Sequence, residues 1–583
     1  MNGAGDVKRL VIQRAILALA LTGFAGAEVH AASRSLAGSY LSARHATQRN
    51  DLAAASEYWT QALALSPSND RLREQALNFK VMAGDLTIAA TLAEALFRRD
   101  PEHRLANLTL VADAFSSASF DAALDRIETS AEGAFPPLLS SLLSGWAQTG
   151  RGDRAAAEAA FAVGTGDGNA MYDLFGGYHS GLALMTFGDF DAAAEVFART
   201  AEAIGGGGAR LARAHGIALE AAGRPDEAKA LWQDAIDNGR ADVLLSAELE
   251  RLEAGKPGAL PVRSARSGAA EAMFSIAGAL SQERGGPAAL LYGQLALSLR
   301  PELHEARLLV GELLDAQSQH AMAAASFAAV PRTSPFHVSA EIGRAEALRQ
   351  MEREPEAIVA LQVLSESYPD ALQAHIALGD LLRREERFAE AAVAYTRALD
   401  LVPNPQERHW ALFYERGIAL ERSGEWDGAE ADFLKALELQ PEQPLALNYL
   451  GYSWVEQNRN LVEALSMIER AVAQRPDDGY ITDSLGWVLY RMGEHDKAVP
   501  LLERAVELTP VDPVINDHLG DALWMVGRKR EAEFQWRRAL SFKPDEDEAE
   551  RIRNKLARGL DAVLAVEVGG GRAGEAAPTP NGG

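Results

Sequence analysis

The chain has 583 residues, no cysteine, and a formal net charge of −25 from 57 basic and 82 acidic side chains. That balance argues against nucleic acid and anionic membrane surfaces as main partners, since both favour clustered Lys and Arg. Without cysteine there is neither a disulfide nor a thiol to carry a lipid anchor, so stability has to come from packing alone.

From the N-terminus, Lys8, Arg9 and Arg14 precede an apolar run over 15–27, followed by Val29-His30-Ala31. A basic region, a short apolar region and a small-x-small site predict a signal peptide over 1–31, cleaved after Ala31. The run is too short to span a bilayer comfortably. The expected location is therefore the periplasm, with no integral membrane segment after cleavage. The alternatives are a retained anchor or a buried first helix.

Residues 32–254 carry a recurrent small–small–large triad: Gly145/Ala157/Phe161, Gly181/Ala193/Phe197 and Gly216/Ala228/Trp232. Ala43/Ala55/Trp59 is a weaker copy. The glycine run Gly205–Gly208 is followed by no Lys-Ser/Thr and preceded by no strand pattern, so it reads as a turn and not a phosphate cradle. Residues 255–268 are rich in Pro, Gly and Arg without apolar period, which predicts a linker, either a hinge or a loop crossing the surface.

From 269 to 544 the pattern sharpens. Pro301, Pro335, Pro369 and Pro403 fall 34 residues apart, and Pro476, Pro510 and Pro544 resume the same interval. The triads continue as Gly311/Ala323/Phe327, Gly379/Ala391/Tyr395, Gly417/Ala429/Phe433 and Gly486/Ala498/Leu502. A 34-residue helix–turn–helix period with these residues resembles the tetratricopeptide repeat. The expected fold class is all-α, a superhelical solenoid of antiparallel helix pairs. Two irregularities stand out. The Pro403–Pro441 interval is 38 residues, with an insertion expected at 404–407, and the 457–460 turn is one residue too long. Residues 545–560 are charged and helical, which suits a cap on the open end. Residues 561–583 are expected to be a disordered tail.

Catalytic motifs are absent: there is no His-Glu-x-x-His, no Gly-x-Ser-x-Gly and no phosphate loop, and the 12 histidines are scattered. The chain therefore reads as non-catalytic, without metal or cofactor. In the repeat it resembles, the concave face is lined by the first helix of each pair, around the conserved-type glycine position. Those positions here are Arg383 and Arg384; Asn448 and Tyr452; Asp483, Trp487, Tyr490 and Arg491; and Asp517, Asp521 and Trp524. Aromatic groups on a groove wall are typical anchors for a peptide or helix from a partner. For Trp487 and Trp524 two readings stay open, groove exposure or packing between helices, while the Tyr490 hydroxyl favours exposure. Asp483 and Asp517 would repel a terminal carboxylate, which disfavours a chaperone-tail clamp.

The strings Leu447-Asn448-Tyr449-Leu450-Gly451-Tyr452, Asp483-Ser484-Leu485-Gly486-Trp487 and Asp517-His518-Leu519-Gly520-Asp521 are more specific than the generic repeat. Over about 400–545 they resemble exported proteobacterial repeat proteins whose relatives are outer-membrane lipoproteins acting as adaptors for a carboxyl-terminal processing protease. The resemblance implies a scaffold that brings such a protease to its substrates, peptidoglycan hydrolases among them. The missing lipidation cysteine departs from those relatives and implies a soluble adaptor. The alternative is a structural component of an envelope polysaccharide-export or secretion machine.

Overall fold

The structure is a computed structural model that describes residues 35–129, 136–166, 168–240, 243–282 and 285–569. The expected signal peptide lies outside the described residues. Among those residues there are 31 α-helices and no strand, arranged as consecutive antiparallel pairs from Leu36–Gln48 and Leu52–Leu65 to Pro513–Met525 and Lys529–Ser541. No described helix is long and apolar enough to cross a membrane.

Local chemistry sets where each helix starts and stops. At the turn inside an early pair, a glycine in the left-handed region ends the first helix, and the next residue, an aspartate, caps the second. Gly84, Gly152 and Gly188 have φ of 78°, 78° and 80°. Asp85, Asp153 and Asp189 then accept the N–H groups of Ile88, Ala156 and Ala192. Between pairs, prolines punctuate the chain: Pro441 and Pro510 follow the helices Trp426–Leu439 and His495–Leu508, and Pro444 and Pro513 open the next ones. The long 457–460 turn is accommodated by two left-handed residues, Asn458 (φ 54°) and Asn460 (φ 48°). The 404–407 insertion forms a loop that ends in a short 3₁₀ turn, Glu407–His409.

In many of the pairs a glycine on the first helix accepts a large side chain from the second. A Cβ placed on Gly379 would lie 2.6 Å from Tyr395 Cε1, and one on Gly417 would lie 2.7 Å from Phe433 Cε1. Both rings are 0% exposed. The small partner is what permits the close approach, and the ring then fills the space it leaves.

The chain divides into two compact units, Met1–Ala360 and Leu361–Gly583, inside the helix Glu354–Ser367. The expected linker at 255–268 is not where it divides, and residues 265–268 already belong to the helix Ala265–Gln282. That helix packs against the first helices of three earlier repeats, Arg104–Ser116, Pro137–Arg151 and Ala170–Thr186. Ala269, Ala270, Ala272 and Met273 on it are all fully buried. The helices further on meet the start of the chain. Leu52 donates its N–H to Gln319 Oε1 at 3.0 Å, Gln319 Nε2 donates to the Asn50 carbonyl, and Gln294 Nε2 donates to the Met82 carbonyl at 3.1 Å. A shared core of Ala43, Trp59, Leu72 and Phe79 with Leu290, Val310 and Phe327 completes this closure. Segments before and after 255–268 are thus stapled together, and residues 255–264 form a loop between the helices Val243–Glu253 and Ala265–Gln282. At the other end, the helix Leu560–Gly569 continues into the stretch expected to be a disordered tail, and 570–583 lie outside the described residues.

Gly379→Ala should destabilise the second unit. Alanine gains ~1 kcal/mol in helix preference, but forcing a methyl against the immobile Tyr395 ring costs ~1–3 kcal/mol. Gly278→Ala, where a Cβ would meet nothing within 4 Å, should gain ~0.5–1 kcal/mol instead. Urea unfolding midpoints of the two variants should therefore move in opposite directions.

Candidate functional site

The candidate groove residues all lie on first helices of the second unit: Leu372–Arg384, Pro444–Glu456, Gly479–Arg491 and Pro513–Met525. They divide into two groups. Arg384 is exposed and Arg383 is half-buried, its Nε 2.8 Å from Glu415 Oε2 on the next first helix, Trp410–Arg422. Beside them Tyr395 donates its hydroxyl to Asp380 Oδ1 at 2.7 Å. This part of the face is polar, with Arg384 exposed and Arg383 and Glu415 half-buried.

The second group is packed away. Asn448, Tyr452, Asp483, Trp487, Tyr490, Asp517 and Asp521 are each no more than 8% exposed. Trp487 is the centre of a stack, with its ring 3.8 Å from the His518 ring and 4.6 Å from that of Tyr490, both nearly parallel to it. Its Nε1 donates to Glu456 Oε1. Glu456 also pairs with the half-buried Arg491 at 3.5 Å. Trp524 is partly buried; its Nε1 donates to Asp561 Oδ2 at 3.0 Å, and Lys529 Nζ lies 4.3 Å from the ring centroid. Of the two readings left open for Trp487, the structure has the ring packed between helices, and Tyr490, whose hydroxyl favoured exposure, follows it inward.

Asp517 and Asp521 are covered by the helix Glu546–Arg558. Its Lys555 is fully buried, with Nζ 2.6 Å from Asp517 Oδ2 and 2.7 Å from Asp521 Oδ1. Arg551 stands 3.6 Å and 3.8 Å from the same two carboxylates. Burial raises the Asp521 carboxyl above its ordinary value of 3.8, even with the Lys555 ammonium beside it. Asp521 also accepts Trp536 Nε1–H at 2.9 Å. Burial by itself would lower the pKa of His518, but Asp483, 2.9 Å from its Nδ1, reverses this and the net shift is upward.

Sequence reasoning passed over Lys555, Glu456 and His518. A signal for Lys555 existed, because Ala549 and Ile552 precede it at helical spacing and place it on their face. Nothing in the sequence separated a buried lysine from the many solvated ones.

The first unit has a buried polar cluster of its own. Tyr178 donates to Glu271 at 2.8 Å, Arg210 pairs with Glu271, and Trp146 Nε1 donates to His179 Nδ1 at 3.0 Å. Burial pushes the His179 pKa down to about 3, so the ring is neutral. The two Glu271 contacts fasten the helix Ala265–Gln282 to the first helices around it. Among the described residues no group of His, Asp and Glu side chains could hold a metal ion.

The tetratricopeptide repeat family model matches residues 342–404, 414–479 and 484–547. The chain is 34% identical over 83 residues to the TPR repeat-containing protein PA4667 of Pseudomonas aeruginosa, covering 14% of this chain and 14% of that protein. It thus matches only a small part of that relative's length. Among solved structures, the APC/C hetero-tetramer Cut9–Hcn1 is 14% identical, with 90% of this chain and 96% of that chain covered and a TM-score of 0.37. YrrB, described as a TPR protein with an unusual peptide-binding site, is 22% identical, with 30% and 90% covered and a TM-score of 0.25.

Trp487→Ala should lower the stability of the second unit by ~3–5 kcal/mol, as removal of a core aromatic does. A melting curve unchanged by the substitution would return the ring to the groove wall. The raised pKa of His518 has a signed consequence as well. The charged ring's contribution is complete at pH below its ordinary 6.5 and is lost as pH rises through the higher folded value. Melting temperature should fall across that rise in the parent chain and stay flatter in His518→Gln.

Proposed function

We propose that this chain, an all-α tetratricopeptide-repeat solenoid, is a non-catalytic adaptor of the bacterial envelope that recruits a carboxyl-terminal processing protease, cell-wall hydrolases, or both. Its repeats support the coarser statement, a protein–protein interaction scaffold. The envelope assignment rests on the leader pattern at 1–31 and on the strings at 447–452, 483–487 and 517–521 that resemble the adaptor lipoproteins.

The observation that bears most on mechanism is the contrast along the first helices of the second unit. Around Arg383, Arg384 and Glu415 the face is polar and accessible, whereas from Asn448 to Asp521 it is buried. Initial contact with a partner therefore falls on the arginine-bearing end. Charged groups at an accessible rim steer encounter and set partner choice more than they add affinity. The bulk of the affinity comes from contacts spread over several repeats.

Affinity capture from an envelope extract with residues 32–583, followed by mass spectrometry, tests the reading. A processing protease or a cell-wall hydrolase should be recovered, and Arg384→Glu should reduce that recovery several-fold without changing the melting curve. Recovery of export-machine subunits alone, or of glycan, would transfer the scaffold to a polysaccharide-export or secretion machine.

A further inference from the structure

In an open repeat array each first helix keeps one face free, because only its neighbours in the stack touch it. Three successive first helices of the second unit have no such face. Every residue from Ala446 to Val455 is buried, as is every residue from Ile481 to Val488 and from Ile515 to Leu523. The helix Glu546–Arg558 reaches the last of these through its side chains, yet its apolar hold is slight. Of its 13 residues only Ala549, Ile552 and Lys555 are buried. The third of these is a cation, and a buried ammonium is tolerated only where carboxylates hold it. Asp517 and Asp521 do so at 2.6 Å and 2.7 Å.

A second observation is independent of that ion pair. The residues three before Gly451, Gly486 and Gly520 are Asn448, Asp483 and Asp517. Each is more than nine-tenths buried, and the Oδ1 atom of each has no hydrogen-bond donor. Buried acceptors are normally satisfied. Here the same atom is left unsatisfied at the same position of three consecutive repeats. The helix Glu546–Arg558 satisfies only the Asp517 Oδ2 end of this row.

We propose that Asp517 and Asp521, continued by Asp483 and Asn448, form a recognition site for a lysine-bearing amphipathic helix of a partner protein, and that the helix Glu546–Arg558 is the chain's own, replaceable occupant. The inference rests on the interaction-scaffold reading and supplies the chemistry of the partner. The pattern it must present is the one the chain presents to itself: a small residue, an aliphatic residue and a lysine, each three positions apart, as in Ala549, Ile552 and Lys555. A partner that also donates hydrogen bonds to the Asp483 and Asn448 oxygens has an advantage over the internal helix, which leaves them bare. The net charge of −25 favours the approach of such a cationic segment.

The test uses a fluorescein-labelled peptide of residues 545–562 as the probe. Three full chains are titrated with it: the parent, Ile552→Asp/Lys555→Met, and that double variant with Asp517→Asn/Asp521→Asn added. The double variant should bind the peptide at least tenfold more tightly than the parent. Peptide carrying Lys555→Met, and the host lacking the two carboxylates, should each lose at least tenfold. Absence of binding to a folded double variant overturns the proposal. Should the double variant fail to fold, hydrogen exchange on the parent chain decides. In rising salt the amides of 546–558 should exchange well before those of 513–525 if the helix is replaceable. Exchange of the two segments as one unit makes it a fixed end cap and overturns the proposal. Peptide binding without any capture from an envelope extract would instead count against the scaffold reading, leaving the occupant site standing.

Discussion

A helix pair in this chain is held by one small residue facing one large one. Gly379 faces Tyr395, Gly417 faces Phe433 and Gly520 faces Trp536, with all three rings fully buried. The glycine sets how closely the two helices approach, and the ring sets how they cross, since it has to fill the gap the glycine leaves. Repeating the same pair at the same spacing repeats the same geometry, and a solenoid follows. One large side chain per repeat is enough, a ring in some and Leu502 or Ile468 in others, which is why a chain with only 7% aromatic residues and no disulfide can build cores of this length.

Stacking of this kind leaves an inner face uncovered, and both units use their own chain to cover it. In the first unit the helix Ala265–Gln282 lies against three first helices, fastened by Glu271 to Tyr178 and Arg210. In the second, Lys555 anchors the helix Glu546–Arg558 to Asp517 and Asp521. Both devices bury charge. Buried ion pairs contribute little net stability, because desolvation offsets the attraction. Their effect is to fix which helix lies where. An apolar helix could slide along such a face, whereas an ammonium between two carboxylates has one register.

The contrast between the accessible rim at Arg383 and Arg384 and the buried row from Asn448 to Asp521 gives the second unit a direction. Charge is exposed at one end, and carboxylates are covered at the other. Trp487 sits within that buried row. Stacked between Tyr490 and His518, it joins consecutive repeats and so transmits packing along the array.

By itself the sequence determined the helices, their pairing and the period. Those depend on local chemistry, such as the proline after a helix, the Gly-Asp turn, and a glycine twelve residues ahead of an alanine, and contacts of short range are written in short spacings. The groove positions were legible as first-helix positions, but whether they faced solvent was not. Tertiary structure decided that Trp487, Tyr490 and Asp521 are inside, because the helix that covers Asp521 lies more than 30 residues further along. It likewise brought Gln319 against Asn50, 269 residues apart in the chain, from either side of the stretch 255–268. Periodicity reports which face of a helix is apolar or polar. It does not report which distant helix will come to lie on that face, and for a lysine that becomes buried the local sequence is the same as for one left in water.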